Sequence, residues 1–170
     1  RDGQRLAFVS GGQVWTTATG TAQIRQVTFH GDPEDGRIVT DPQWSPDGRQ
    51  LAFSVPVGGQ RDIYLINADG ANSLRLTSEP SLEDHPSWSA DGKWIYCRSD
   101  RGGRNHLWKV SVTGGTATQV TQGEAWHGRE SYDGTMLYFV RSTSLTGLWG
   151  VPTAGGTERL IVPGGGDRRS

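Results

Sequence analysis

Residues 42–54 read Pro42-Gln43-Trp44-Ser45-Pro46-Asp47-Gly48-Arg49-Gln50-Leu51-Ala52-Phe53-Ser54, and this stretch decides the fold. Asp47-Gly48 is a turn dipeptide, because Gly tolerates positive φ and Asp can bond its own nearby backbone. Working outward, Asp-Gly returns at 2–3, 91–92 and 133–134, with spacings of 45, 44 and 42 residues. Each pair is followed three residues later by an apolar position: Leu6, Leu51, Ile95 and Leu137. A second column holds Val14-Trp15, Ile63-Tyr64, Leu107-Trp108 and Leu148-Trp149. A third holds Gln26-Val27-Thr28, Arg75-Leu76-Thr77, Gln119-Val120-Thr121 and Arg159-Leu160-Ile161. Such self-similarity is the primary signal to read, and it marks a repeat architecture.

Each unit is expected to be a four-stranded antiparallel meander. Strand A is short, as in Gln43-Trp44-Ser45 and Ser87-Trp88-Ser89; strand B is the Leu-Ala-Phe column; strands C and D are the second and third columns. Helical periodicity is absent, and 25 Gly with 8 Pro would break most helices. Strand B is apolar on consecutive residues, which implies burial on both faces between neighbouring sheets. Four strands per period of 40–45 residues describe a β-propeller blade. The fold class is therefore all-β, with about four blades over 1–28, 41–77, 85–121 and 127–162, and a flexible tail over 163–170. The first unit starts at its A–B turn, so its inner strand is missing and fifteen strands are expected.

The stretch from Pro42 to Ser54, with Asp62-Ile63-Tyr64-Leu65 and Arg75-Leu76-Thr77, resembles the WD40-like repeat of TolB-type β-propellers. Pro86-Ser87-Trp88-Ser89-Ala90-Asp91-Gly92 departs from that pattern at Ala90, and the unit around Asp133-Gly134 loses both Pro and Trp. The resemblance covers the chain up to about Val162. It implies a ring of six or more blades, so the chain is expected to be part of a longer propeller. The other reading, copies associating as a homo-oligomer to complete the ring, stays open. The motif is specific for fold and poor for function.

Composition narrows the function classes. The 170 residues carry 17 Lys+Arg against 18 Asp+Glu, a net charge of −1. No broad positive field for nucleic acid or anionic lipid is expected. The longest apolar run, Met136 to Val140, is far short of the roughly 20 residues a membrane helix needs. Arg1-Asp2-Gly3-Gln4 lacks the apolar core of a signal peptide, so any export signal is expected to be absent or removed. A single cysteine, Cys97, takes the column position of Phe8, Phe53 and Phe139 and is expected to be buried and inert.

Catalytic patterns are missing. No Ser stands in Gly-x-Ser-x-Gly, the four His include no His-Glu-x-x-His pair, and no phosphate loop occurs. The chain is expected not to be an enzyme. Propeller geometry puts the tight A–B and C–D turns on one face, and the variable D–A and B–C loops on the other. Variable loops on a rigid scaffold are the usual seat of binding. Asp41, His85 and His127 occupy equivalent positions just before strand A, nearest the axis, flanked by Glu83, Asp84, Glu124, Trp126, Arg129 and Glu130. Asp41, His85, Trp126, His127 and Glu130 are the candidate contacts for a protein partner or small ligand, with Trp126 expected to be exposed. Imidazole and carboxylate are competent metal ligands, but nothing in the spacing brings these three within coordination distance, and no metal or cofactor is expected.

Other features have plainer readings. Asp32-Pro33-Glu34-Asp35-Gly36 has an incomplete calcium-loop pattern and reads as an acidic surface turn. Trp15, Trp108 and Trp149 with Tyr64 read as packing between blades. Arg25, Arg75 and Arg159 read as charges blunting an outer sheet edge. By resemblance the chain belongs in the bacterial envelope or periplasm, or in a cytoplasmic sensor region of a regulator. The competing reading is an accessory gating propeller of a serine peptidase of the prolyl oligopeptidase type.

Overall fold

The structure is a computed structural model that describes residues 3–30, 34, 36–141 and 147–164. Among them are fifteen strands and no helix. Blade 1 contains β1 (Arg5–Ser10), β2 (Gln13–Ala18) and β3 (Ile24–Gln26). Blade 2 contains β4 (Thr40–Trp44), β5 (Gln50–Val57), β6 (Gln60–Asn67) and β7 (Leu74–Arg75). Blade 3 contains β8 (Glu83–Trp88), β9 (Trp94–Ser99), β10 (His106–Ser111) and β11 (Thr118–Gln119). Blade 4 contains β12 (Trp126–Glu130), β13 (Met136–Val140), β14 (Gly147–Pro152) and β15 (Arg159–Pro163). Every sheet is an antiparallel meander in chain order, and blade 1 has three strands with β1 at its open edge. The acidic turn at 32–36 lies outside the described residues except for Glu34 and Gly36.

Two small devices, repeated blade by blade, explain why the sequence folds this way. In the A–B turns the Ser45, Ser89 and Ser131 hydroxyls donate to Asp47, Asp91 and Asp133 at 2.6, 2.7 and 2.6 Å. The same carboxylate oxygens accept the N–H of Arg49, Lys93 and Thr135, while Gly48, Gly92 and Gly134 supply φ of 68°, 71° and 72°. The serine hydrogen bonds first, then the backbone ones, hold all three carboxyls below the usual carboxylate range. On the outer edge, Val14, Ile63 and Leu107 donate their N–H to the Thr28, Thr77 and Thr121 hydroxyls at 2.8, 2.9 and 3.0 Å. A side-chain acceptor there replaces the next ladder bond and ends strand D after two or three residues. Blade 4 has Ile161 in the slot, with no hydroxyl to offer, and its strand D runs on for five residues.

Packing runs blade to blade in chain order. The core is three separate layers: one around Val14, Leu51 and Phe53, one around Ala52, Trp88 and Cys97, one around Leu107, Leu137 and Phe139. Strand B of the two inner blades is buried without a break, from Leu51 to Val55 and from Ile95 to Ser99. The two outer blades depart from the expected double burial. On strand B, Leu6 of blade 1 is 55% exposed and Val140 of blade 4 is 39% exposed. The reason is that each outer blade has a neighbour on one side only. Cys97 is fully buried, and burial, then the Glu83 charge, pushes its thiol up to about 12, which leaves it unreactive. Arg75 is more than an edge charge, since its guanidinium pairs at 2.7 Å with the fully buried Asp62.

Candidate functional site

The inner strands begin earlier than their sequence suggested, and the difference builds the site. Asp41, His85 and His127 lie inside β4, β8 and β12, not in the loops before them. Each sits at a β-bulge: the register shifts between Thr40 and Gln43, Asp84 and Ser87, and Trp126 and Arg129. Their φ values are 57°, 51° and 50°, so three of the four described non-glycine residues at positive φ occupy one repeat position. Such backbone costs on the order of 1–3 kcal/mol per residue and persists only where surroundings enforce it. Bulges re-aim a side chain, and here they turn three ionisable groups toward one another.

Geometry orders the row. The His85 Nδ1 is 3.3 Å from Asp41 Oδ1, and its Nε2 is 3.9 Å from Asp84 Oδ2. The His85 and His127 rings are 4.2 Å apart at a tilt of 50°. Asp41 also accepts from the Thr40 hydroxyl at 2.8 Å. Burial pushes the Asp41 carboxyl up, but hydrogen bonds from His85 and Thr40 and the His85 and Arg61 charges outweigh it and hold it low. His85 is raised above the ordinary imidazole value, chiefly by its bond to Asp41. His127 is lowered, first by burial and then by the His85 charge. These residues, with Gln43, Pro86, Gly128 and Arg129, line a cleft of about 50 Å³, room for a few water molecules or one small polar group. Gly128 stands where the other repeats have Pro42 and Pro86; a Cβ there would meet Leu107 Cδ1 at 2.6 Å.

Behind the row, guanidinium groups hold the neighbouring positions. Arg98 donates from Nε to Asp84 Oδ1 at 2.6 Å, and from Nη2 to Asp84 Oδ2, while its Cζ lies 3.8 Å over the Trp126 ring. Arg61 donates to the Thr40 and Ser54 hydroxyls at 2.7 and 2.8 Å. Sequence analysis missed Arg98, and the signal that could have found it is a charged residue inside an otherwise apolar strand B, because charge is buried only when paired. Arg129 reaches from blade 4 to Gln43 Oε1 at 2.7 Å.

Two candidates need correction. Trp126 is not exposed: it is half-buried as the first residue of β12, held under Arg98. Glu130 does not join the row. It ends β12 roughly 10 Å beyond His127, at about 3.3 Å per residue, where it accepts from the Ala90 N–H and the Tyr96 hydroxyl on the turn face. Glu83 also turns away; its carboxylate is fully buried, with Ser81, Ser99 and Arg101 on one oxygen. Among the described residues no group of three or more His, Cys, Asp or Glu is arranged to hold a metal ion.

Four-stranded antiparallel sheets stacked face to face, each with its A–B turn on one side and a bulged inner strand on the other, define a segment of a β-propeller. The family model for the TolB beta propeller domain matches residues 1–168, and the chain belongs to that family. It is 42% identical over 40 residues, 24% of this chain and 9% of the relative, to the Tol-Pal system protein TolB of Anaeromyxobacter dehalogenans. It is 33% identical over 90 residues, 46% of this chain and 13% of the relative, to the uncharacterized peptidase YuxL of Bacillus subtilis. The structure of a putative TolB from Agrobacterium tumefaciens superposes with a TM-score of 0.79 at 22% identity, over 94% of this chain and 61% of that one. The chain thus spans only part of the length of the relatives it matches.

Proposed function

We propose that this segment is a non-catalytic propeller scaffold that binds a protein partner, or a small polar ligand, on the face of its D–A and B–C loops, as part of a larger ring. Asp41, His85 and His127 make the contact, and Trp126 supports it from beneath. The observation that carries this reading is the threefold recurrence of a positive-φ bulge at one repeat position of the inner strands. Strained backbone that presents ionisable groups clusters at functional sites, whereas polarity needed only for solvation would not require it. The TolB relatives are named as members of a Tol-Pal system, which supports a protein as partner and a periplasmic or cell-envelope setting, ahead of a cytoplasmic sensor region.

The test is a photo-crosslinking residue placed in the parent protein, in its native host, at position 127 and at position 132. Tyr132 is fully exposed on the opposite, turn face. A discrete protein adduct from position 127, lost in D41N, with none from position 132, is the expected result. Adducts from position 132 alone would overturn the reading.

A second reading keeps the scaffold and changes its employer. The 90-residue match to a peptidase supports an accessory propeller gating a separate hydrolase. Sequence adjoining this segment that carries a strand–Gly-x-Ser-x-Gly–helix nucleophile elbow would favour it.

A further inference from the structure

The row has a feature that ligand binding does not require: its two imidazole ring centres lie 4.2 Å apart, at a tilt of 50°. We propose that Asp41, His85 and His127 form a proton-gated latch between blades 2, 3 and 4, closed when the imidazole pair carries one positive charge and released when it carries two or none. The proposal concerns the residues of the binding face but needs no ligand to operate.

The charges that act on the pair come from five strands, β4, β6, β8, β9 and β12. Asp41 approaches from β4, Arg61 from β6, Asp84 from β8, Arg98 from β9 and Arg129 from β12. Asp84 is already committed to Arg98 through two hydrogen bonds. Asp84 still faces His85 Nε2 at 3.9 Å, but Asp41, 3.3 Å from Nδ1, is the main offset to the imidazolium charge. A second imidazolium at His127, its ring centre 4.2 Å from the first, would have no carboxylate of its own. Like charges at that separation repel, and although His127 is exposed on its outer side, the His85 ring it faces is largely shielded from water. With neither ring charged, the Asp41–His85 pair is lost as well. The singly charged state alone satisfies all three blades.

The two histidines shift in opposite directions, and the signs follow. His85 is raised by Asp41, so its contribution is complete below the ordinary imidazole value near 6.5 and fades as pH rises through its higher folded value. His127 is lowered by burial and by His85, so its contribution is complete above 6.5 and fades as pH falls toward its depressed value. The latch therefore holds best near pH 6.5 and loosens on both sides.

The experiment is a pH titration of the ¹³C-labelled histidines of the full chain by NMR, with H85Q and H127Q for assignment. His85 is expected to titrate above the ordinary range and His127 below it, and H85Q is expected to shift the His127 midpoint upward. Should H85Q fail to fold, the wild type reads the same coupling as a second inflection in the His85 resonance at the His127 midpoint. Unfolding free energy measured relative to H85Q/H127Q is expected to be bell-shaped in pH, with its maximum between the two midpoints. Independent titration of the rings, or a difference that varies in one direction only, overturns the latch. No partner enters these measurements, so their failure and that of the crosslinking test are separate results.

Discussion

Phe53→Ala lowers the unfolding free energy by about 3–5 kcal/mol in urea denaturation, the range for truncating a buried aromatic ring. The ring is fully buried on strand B of blade 2, in the layer shared with Val14, Val27 and Val39 of the blade 1 side. Its neighbours Tyr64 and His30 have ring centres 6.0 Å away. The companion variant is Leu6→Ala, which holds in blade 1 the column position of Leu51. Leu6 is more than half exposed because nothing covers that face, and surface truncations usually stay within about 0.5 kcal/mol. Equal costs for the two variants would contradict the layered packing.

Asp84→Ala is the second large effect, about 3–5 kcal/mol, because it strands the Arg98 charge with no partner in a buried site. Both side chains are under one-tenth exposed. Replacing both, as Asp84→Ala with Arg98→Met, is expected to recover most of the loss, since removing a buried pair outright is often neutral. The Met keeps an apolar stem under Trp126. A single-variant cost below about 1 kcal/mol, the range of exposed pairs, would mean that water reaches Arg98 and that the support of the row is looser than described.

The blades were legible because their chemistry repeats. Ser-x-Asp-Gly builds its turn from four adjacent residues, and the terminal Thr of strand D answers one N–H of strand C, so each leaves a column in the sequence. The bulges left no such mark. A residue before proline ordinarily takes an extended, negative-φ conformation, so Asp41-Pro42 and His85-Pro86 read as plain strand entry. Only the recurrence of Asp or His at one repeat position hinted at something special. Glu130 was misplaced for a related reason: closeness in sequence to His127 is distance in space once the intervening residues form a strand. Trp126 fell outside every aromatic column, and its partner Arg98 comes from another blade, a pairing that a single repeat cannot reveal. The outer blades behaved differently from the inner ones although their strand B sequences are alike, because burial there depends on the neighbour and not on the strand.

The central claim is that two inner blades are covered on both faces while the outer two are covered on one, which fixes where the bulged row sits. Amide hydrogen exchange on the full chain tests it directly, since exchange reports local opening free energies. The slowest amides are expected in Leu51–Val55 and Ile95–Ser99, with β1 and β15 exchanging far earlier. Protection in β1 or β15 equal to that of β9 would contradict the claim.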